Sequence, residues 1–210
     1  MDPTFLWTQG TINLMLKSEI QPVIDTINAL REAGTPVVVA LDGRSGTGKS
    51  TLGLEIAAAV NGTYVDQDDF YSGGEIDQWR VLSPEIRIDK CIDWQRVLRD
   101  VIIPFHASLP IHYHPFNWET MDGLATEAIS LKPSDVLILD GAYSTRPELA
   151  EFLDLTVLVT LDDALRRQRI MDREGEDWTL EWFTVWDAAE NLYFGHMRPE
   201  SAFDIVIRRS

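Results

Sequence analysis

Apolar side chains at Ile20, Val23, Ile24, Ile27 and Leu30 recur at intervals of three and four, the spacing that lines one face of a helix, and the run stops at Gly34. The pattern predicts an amphipathic helix within 12–33, interrupted near Pro22, whose ring removes a backbone donor. After Thr35-Pro36 the period changes: Val37 to Leu41 is a short unbroken apolar run, as a strand covered on both faces requires. A helix over 50–60, closed by Asn61-Gly62, and a short strand at Thr63 to Asp66 follow, with Asp68 to Gly74 as the strand's exit loop. Trp94, Val97, Leu98 and Val101 predict a helix around 93–103, whereas 106–123 has little periodicity and carries several aromatic and imidazole rings. Strands are then predicted at 135–141, 155–161 and 203–207, and helices at 147–152, 163–174 and 178–196, the last from Trp182, Val185, Trp186, Ala189 and Tyr193. Strands that alternate with helices make a mostly parallel sheet with helices on both faces, an α/β fold of three layers.

Length and charge narrow this picture. The 210 residues suit one domain. We read 1–34 as an N-terminal helical extension, 84–131 as an insertion that binds the acceptor, and 166–178 as a short lid. A formal net charge of −16 repels a polyanion, so no nucleic-acid partner is expected. No stretch approaches the roughly 18 unbroken apolar residues of a membrane span, and Met1 to Trp7 lack the basic-then-apolar pattern of a secretory signal, so no membrane partner and a cytoplasmic location are expected. Cys91 is the only cysteine and has no disulfide partner within the chain.

The chemistry concentrates at the end of the first strand. Gly43-Arg44-Ser45-Gly46-Thr47-Gly48-Lys49-Ser50 matches G-x-x-x-x-G-K-[ST], between a predicted strand and a predicted helix. Glycines let the backbone turn its N–H groups inward where a Cβ would collide with a phosphate oxygen, and the helix that follows adds its positive end. The candidate nucleotide-binding residues are Gly43, Ser45, Gly46, Thr47, Gly48, Lys49, Ser50 and Thr51, with Lys49 on the outer phosphates and the Ser50 hydroxyl on Mg²⁺. Asp140, after four apolar residues, is the candidate metal-side carboxylate. Asp68 and Asp69 follow the second strand, where one of them is expected to take the proton of an acceptor hydroxyl, and Asp66, which ends the strand, is read as structural. Arg166, Arg169 and Arg173 fall at i, i+3 and i+7, one helix face able to clamp triphosphate oxygens.

These stretches, with Gln67-Asp68-Asp69-Phe70-Tyr71, Leu139-Asp140-Gly141 and the closing Phe203-Asp204-Ile205-Val206-Ile207, resemble in order the uridine kinase-like branch of P-loop kinases, which is similar to the phosphoribulokinase and nicotinamide riboside kinase groups. The resemblance spans about 36–207 and implies a P-loop NTPase fold. It implies Asp68 as catalytic base, Asp140 where the family usually has glutamate, Arg169 and Arg173 as lid arginines on ATP, and Phe116-Asn117-Trp118 in place of a Tyr-Asp-Phe stretch that lines the nucleoside pocket. Asn117 thus removes a charge from that pocket, and Glu174-Gly175-Glu176-Asp177 makes the lid shorter and more acidic than the family's. Asp69, Tyr71, His112, Tyr113, His114, Asn117 and Trp118 complete the candidate acceptor group.

The expectation is an ATP- and Mg²⁺-dependent kinase that phosphorylates a hydroxyl of a small metabolite, a nucleoside first. A sugar, vitamin precursor or other small alcohol is the alternative acceptor. A nucleotide-dependent switch is the alternative of another class, separated by whether ADP release requires an acceptor.

Overall fold

The computed structural model describes residues 18–34 and 36–210; the expected helical extension lies outside them over 1–17. Helix α1 spans 18–31 without the break expected at Pro22. The only bond the ring forfeits is the one to the carbonyl of residue 18, at the helix's described end. The order is then β1 (Val37–Asp42), α2 (Lys49–Val60), β2 (Thr63–Asp66), α3 (Ile76–Arg80), α4 (Pro84–Lys90), α5 (Trp94–Val97), α6 (Ile103–His106), β3 (Ile111–Tyr113), β4 (Ile129–Leu131), β5 (Val136–Asp140), β6 (Leu155–Thr160), α7 (Asp163–Glu174), α8 (Glu176–Leu192) and β7 (Ile205–Arg208).

Five strands form one parallel sheet in the order β2-β5-β1-β6-β7. Every residue of β1 and β5 is buried, the covered-on-both-faces state that their unbroken apolar runs demand. Side chains alternate between two cores. Val37, Val39, Leu41, Ile138 and Val157 meet α1 and α2 through Val23, Ile27, Leu52 and Ile56. Val38, Leu137 and Leu139 meet α4 to α6 and α8 through Ile88, Val97, Ile102, Phe105, Val185 and Ala189. Cys91, at the end of α4, is 4% exposed within this second core.

Four features depart from the sequence pattern. A π turn over Leu98–Ile102 joins α5 to α6, with Ile103 N–H bonded to the Leu98 carbonyl. Pro104 has no N–H for the Asp100 carbonyl and would crowd it in a regular helix, so the wider turn relieves the clash. A second π turn, Tyr193–Met197, ends α8. Within 106–123 and beyond, β3 and β4 pair as an antiparallel hairpin apart from the main sheet. The segment at Pro147–Phe152 is a 3-10 helix.

Candidate active site

The phosphate loop fills the turn between β1 and α2. Gly46 and Gly48 have φ of 83° and 85°, a left-handed backbone that glycine adopts without strain. Space is equally restrictive: a Cβ at Gly46 would lie 2.8 Å from the Arg166 carbonyl oxygen, and one at Gly43 would overlap the Val159 carbonyl. Helix α2 begins at Lys49 with no side-chain cap, so its first amides and its positive end stay available to an anion. Lys49 is buried, its Nζ donating to the Arg44 carbonyl at 3.2 Å, and Thr47 Oγ1 donates to the same oxygen at 2.9 Å. Ser50 and Thr51 are exposed at the start of α2, and the Ser50 side chain meets the Tyr64 hydroxyl.

Beside the loop, neighbouring strands bring carboxylates together. Asp66 and Asp140 are register partners at the ends of β2 and β5. Asp140 is fully buried: Tyr64 donates its hydroxyl to Oδ2 at 2.9 Å, while Oδ1 is buried with no hydrogen-bond partner. Such an orphaned oxygen suits a divalent cation. Among the described residues no three His, Cys, Asp or Glu side chains form a metal cluster. The donor set therefore fits Mg²⁺, which is held by one or two carboxylates while phosphate and water complete its shell.

Asp66 accepts the Asp68 N–H at 2.9 Å and so caps the short 3-10 turn Gln67–Phe70. Loss of solvent, and then the charge of Asp68, push its carboxyl up to about 7. Asp68 keeps part of its surface open to solvent. Loss of solvent around the carboxyl raises it as well, opposed by Lys49 and reinforced by Asp140 and Asp69, with Arg173 opposing more weakly. Asp69 is engaged elsewhere, accepting the Tyr113 hydroxyl at 2.7 Å. The two neighbouring aspartates thus differ: one faces Lys49, the other anchors the hairpin.

The acceptor segment divides by strand alternation. Tyr71 stacks on Trp118 with centroids 5.4 Å apart and planes 13° apart, and Phe116 stands edge-on to both rings. Phe116 N–H also bonds to the Asp69 carbonyl, which ties this aromatic group to the carboxylate turn. Tyr113 points inward, and its hydroxyl is committed to Asp69. His112, expected with the acceptor residues, stands on the opposite, exposed face of β3, and His114, expected there too, is exposed one residue beyond the strand; their Nδ1 atoms meet Ser130 Oγ and the Ala125 carbonyl. Asn117 uses its side-chain oxygen to accept the N–H groups of Glu119 and Thr120, so it shapes its own loop.

Arg166, expected on the phosphate-facing side with Arg169 and Arg173, is instead 1% exposed and bonded to Asp163 and the Ser45 carbonyl. Arg169 and Arg173 are exposed, the former close to Gly48. Sequence reasoning missed four residues that build the site. Asp42, fully buried, accepts bonds from Gly43 N, Tyr143 N, Thr145 N, Thr145 Oγ1 and Tyr193 Oη, joining the phosphate loop to the exit of β5. Its signal was available, since it ends an apolar strand as Asp140 does. Tyr64, Glu190 and Arg209, whose guanidinium meets the Thr47 and Gly48 carbonyls, carry no local signal.

No protein-family model matches the chain. Among curated proteins it is 25% identical over 173 residues to the uridine kinase of Lactobacillus helveticus, covering 78% of each chain. It is 28% identical over 128 residues to the uridine-cytidine kinase D of Dictyostelium discoideum, which covers 59% of this chain and 23% of that protein. A solved structure described as a possible uridine kinase from Bacillus stearothermophilus superposes with a TM-score of 0.70 at 19% identity, covering 92% of this chain and 99% of that one. The D-glycerate 3-kinase of Cryptococcus neoformans superposes with a TM-score of 0.62 at 10% identity, over 92% and 95%. The fold is that of the P-loop small-molecule kinases, and the likeness in sequence is to uridine kinases.

Proposed function

We propose that this uridine kinase-like P-loop kinase transfers the γ-phosphoryl group of ATP to a hydroxyl of a small metabolite, with a nucleoside as the first candidate. The observation that carries the reading is that Asp68, whose carboxyl feels the Lys49 charge, sits in a turn that runs directly into Tyr71, which stacks on Trp118 and meets Phe116 edge-on. A flat acceptor held against those rings would turn a hydroxyl toward Asp68. Residues 84–131, through the β3–β4 hairpin, serve as the acceptor-side insertion, and 166–178 as the lid.

In this scheme the amides of Gly46 to Ser50 and Lys49 Nζ bind the β- and γ-phosphates, releasing Lys49 from the Arg44 carbonyl it holds in the free protein. Ser50 and Asp140 would hold Mg²⁺, which would neutralise charge on the phosphate oxygens. Asp68 accepts the hydroxyl proton as the acceptor oxygen bonds to the γ-phosphorus and the bond to the β–γ bridging oxygen breaks, leaving ADP. Arg169 and Arg173 cover the transferring group from α7. Positioning and charge supply most of what phosphoryl transfer demands.

The test is ATP consumption by purified protein with magnesium and a panel of nucleosides, sugars, sugar acids and vitamin alcohols, with products identified by mass. One acceptor that gains a phosphoryl group in step with ADP release supports the reading. ADP release that no acceptor stimulates supports the nucleotide switch instead.

A further inference from the structure

We propose that Glu190 is a positioning residue that fixes the shape of the phosphate loop for transfer. The proposal rests on the reading of 43–50 as the loop that holds ATP.

Glu190 lies near the end of α8, far from the loop in sequence, and is only 2% exposed. Its Oε1 accepts the Ser45 N–H at 3.1 Å. Its Oε2 lies 3.6 Å from Nη1 of Arg166, and that same Nη1 donates to the Ser45 carbonyl at 3.3 Å. One residue of the loop is thus gripped at both its N–H and its C=O, by a carboxylate from α8 and a guanidinium from α7. Arg166 is held in turn by Asp163 at 2.6 Å and Asp187 at 3.4 Å, which fixes the guanidinium in place.

A buried carboxylate placed against a phosphate-binding loop repels the ligand, so a role in tightening ATP binding does not account for it. A role in geometry does. The Ser45 N–H is diverted from the phosphate, which leaves the amides from Gly46 onward to face the ligand. Helix α7 also bears directly on Gly46 through the Arg166 carbonyl and Ile170, and it carries Arg169 and Arg173. The bond between Glu190 and Ser45 therefore sets the register of the loop against the helix of the lid arginines, which matters most in the transition state, where those charges must align.

The test compares Glu190→Asp with Glu190→Gln. Aspartate keeps the negative charge beside Arg166 but ends one methylene short of Ser45; glutamine keeps the reach and an oxygen that accepts the N–H. The expected result is a kcat about tenfold or more lower in Glu190→Asp, with KM for ATP changed by less than about threefold, and near-wild-type kcat in Glu190→Gln. Hydrogen exchange of nucleotide-free protein gives a readout independent of turnover: peptides covering 43–50 exchange faster in Glu190→Asp than in wild type or Glu190→Gln. Wild-type exchange and kcat in Glu190→Asp would overturn the proposal, as would equal losses in both variants, which assign the effect to the charge pair with Arg166. A wild-type protein that phosphorylates no acceptor counts against the kinase reading, and the exchange comparison then decides the clamp alone.

Discussion

Replacing Asp66 by asparagine should make the nucleotide-free protein more stable at about pH 8 and leave it unchanged near pH 4. Asparagine retains an oxygen to accept the Asp68 N–H, so the cap on the 3-10 turn survives and only the charge is lost. The wild-type carboxyl is raised from 3.8 to about 7 by desolvation and by the neighbouring charges of Asp68, Asp140 and Asp69. At about 1.4 kcal/mol per unit of pH, that span corresponds to roughly 4 kcal/mol. Solvent still reaches Asp66 and salt screens its neighbours, so the expected gain is about 2 kcal/mol. The sign follows from linkage: a carboxyl raised in the native state binds its proton more tightly there than in the unfolded chain. Its contribution to stability is therefore fully present below about pH 4 and is lost as pH rises toward about 7. Urea unfolding without magnesium at the two pH values measures the difference. A midpoint shift of the same size at both, or a loss of stability at pH 8, would refute the claim that burial and the neighbouring carboxylates together penalise the Asp66 charge.

Three further outcomes test the site. Lys49→Ala should abolish turnover and weaken ATP binding, and calorimetry with wild-type-like affinity and activity would remove the phosphate loop from the mechanism. Asp68→Asn should lower kcat by roughly 100-fold or more at nearly unchanged ATP affinity, whereas Asp69→Asn, which keeps an oxygen for the Tyr113 hydroxyl, should cost much less in steady-state kinetics; equal losses would void the distinction between them. Gly43→Ala drives a Cβ into the Val159 carbonyl, and the expected effect is a loss of ATP binding together with at least about 1 kcal/mol of stability in thermal unfolding.

The phosphate loop was legible because its glycines answer a steric demand that leaves few alternatives, and β1 and β5 were legible because strands buried on both faces must be apolar throughout. Arg166 shows where periodicity stops: the spacing put three arginines on one face of α7, but that face meets both the phosphate loop and α8, and only the packing of Asp187 and Glu190 decides which neighbour claims which side chain. The β3–β4 hairpin escaped notice because each strand is three residues long, too short for a period of two to stand out. With the strand unseen, His112, Tyr113 and His114 read as one group, whereas alternation sends Tyr113 inward and the histidines out. Glu190 had no signal at all, since an acidic residue within a helix is the ordinary pattern of a solvated face until the fold brings it to Ser45.

The seclusion of Cys91 has a practical consequence. Burial pushes its thiol up to about 12, so at neutral pH roughly one molecule in 10⁵ carries the reactive thiolate, and the surrounding side chains bar a reagent from reaching even that fraction. Alkylation can then proceed only through molecules in which the layer between α4 and the sheet has briefly parted. With no other cysteine in the chain to obscure the signal, the rate of labelling becomes a native clock for those excursions, and its slowing on addition of a nucleotide or an acceptor would report how far each ligand keeps that layer shut.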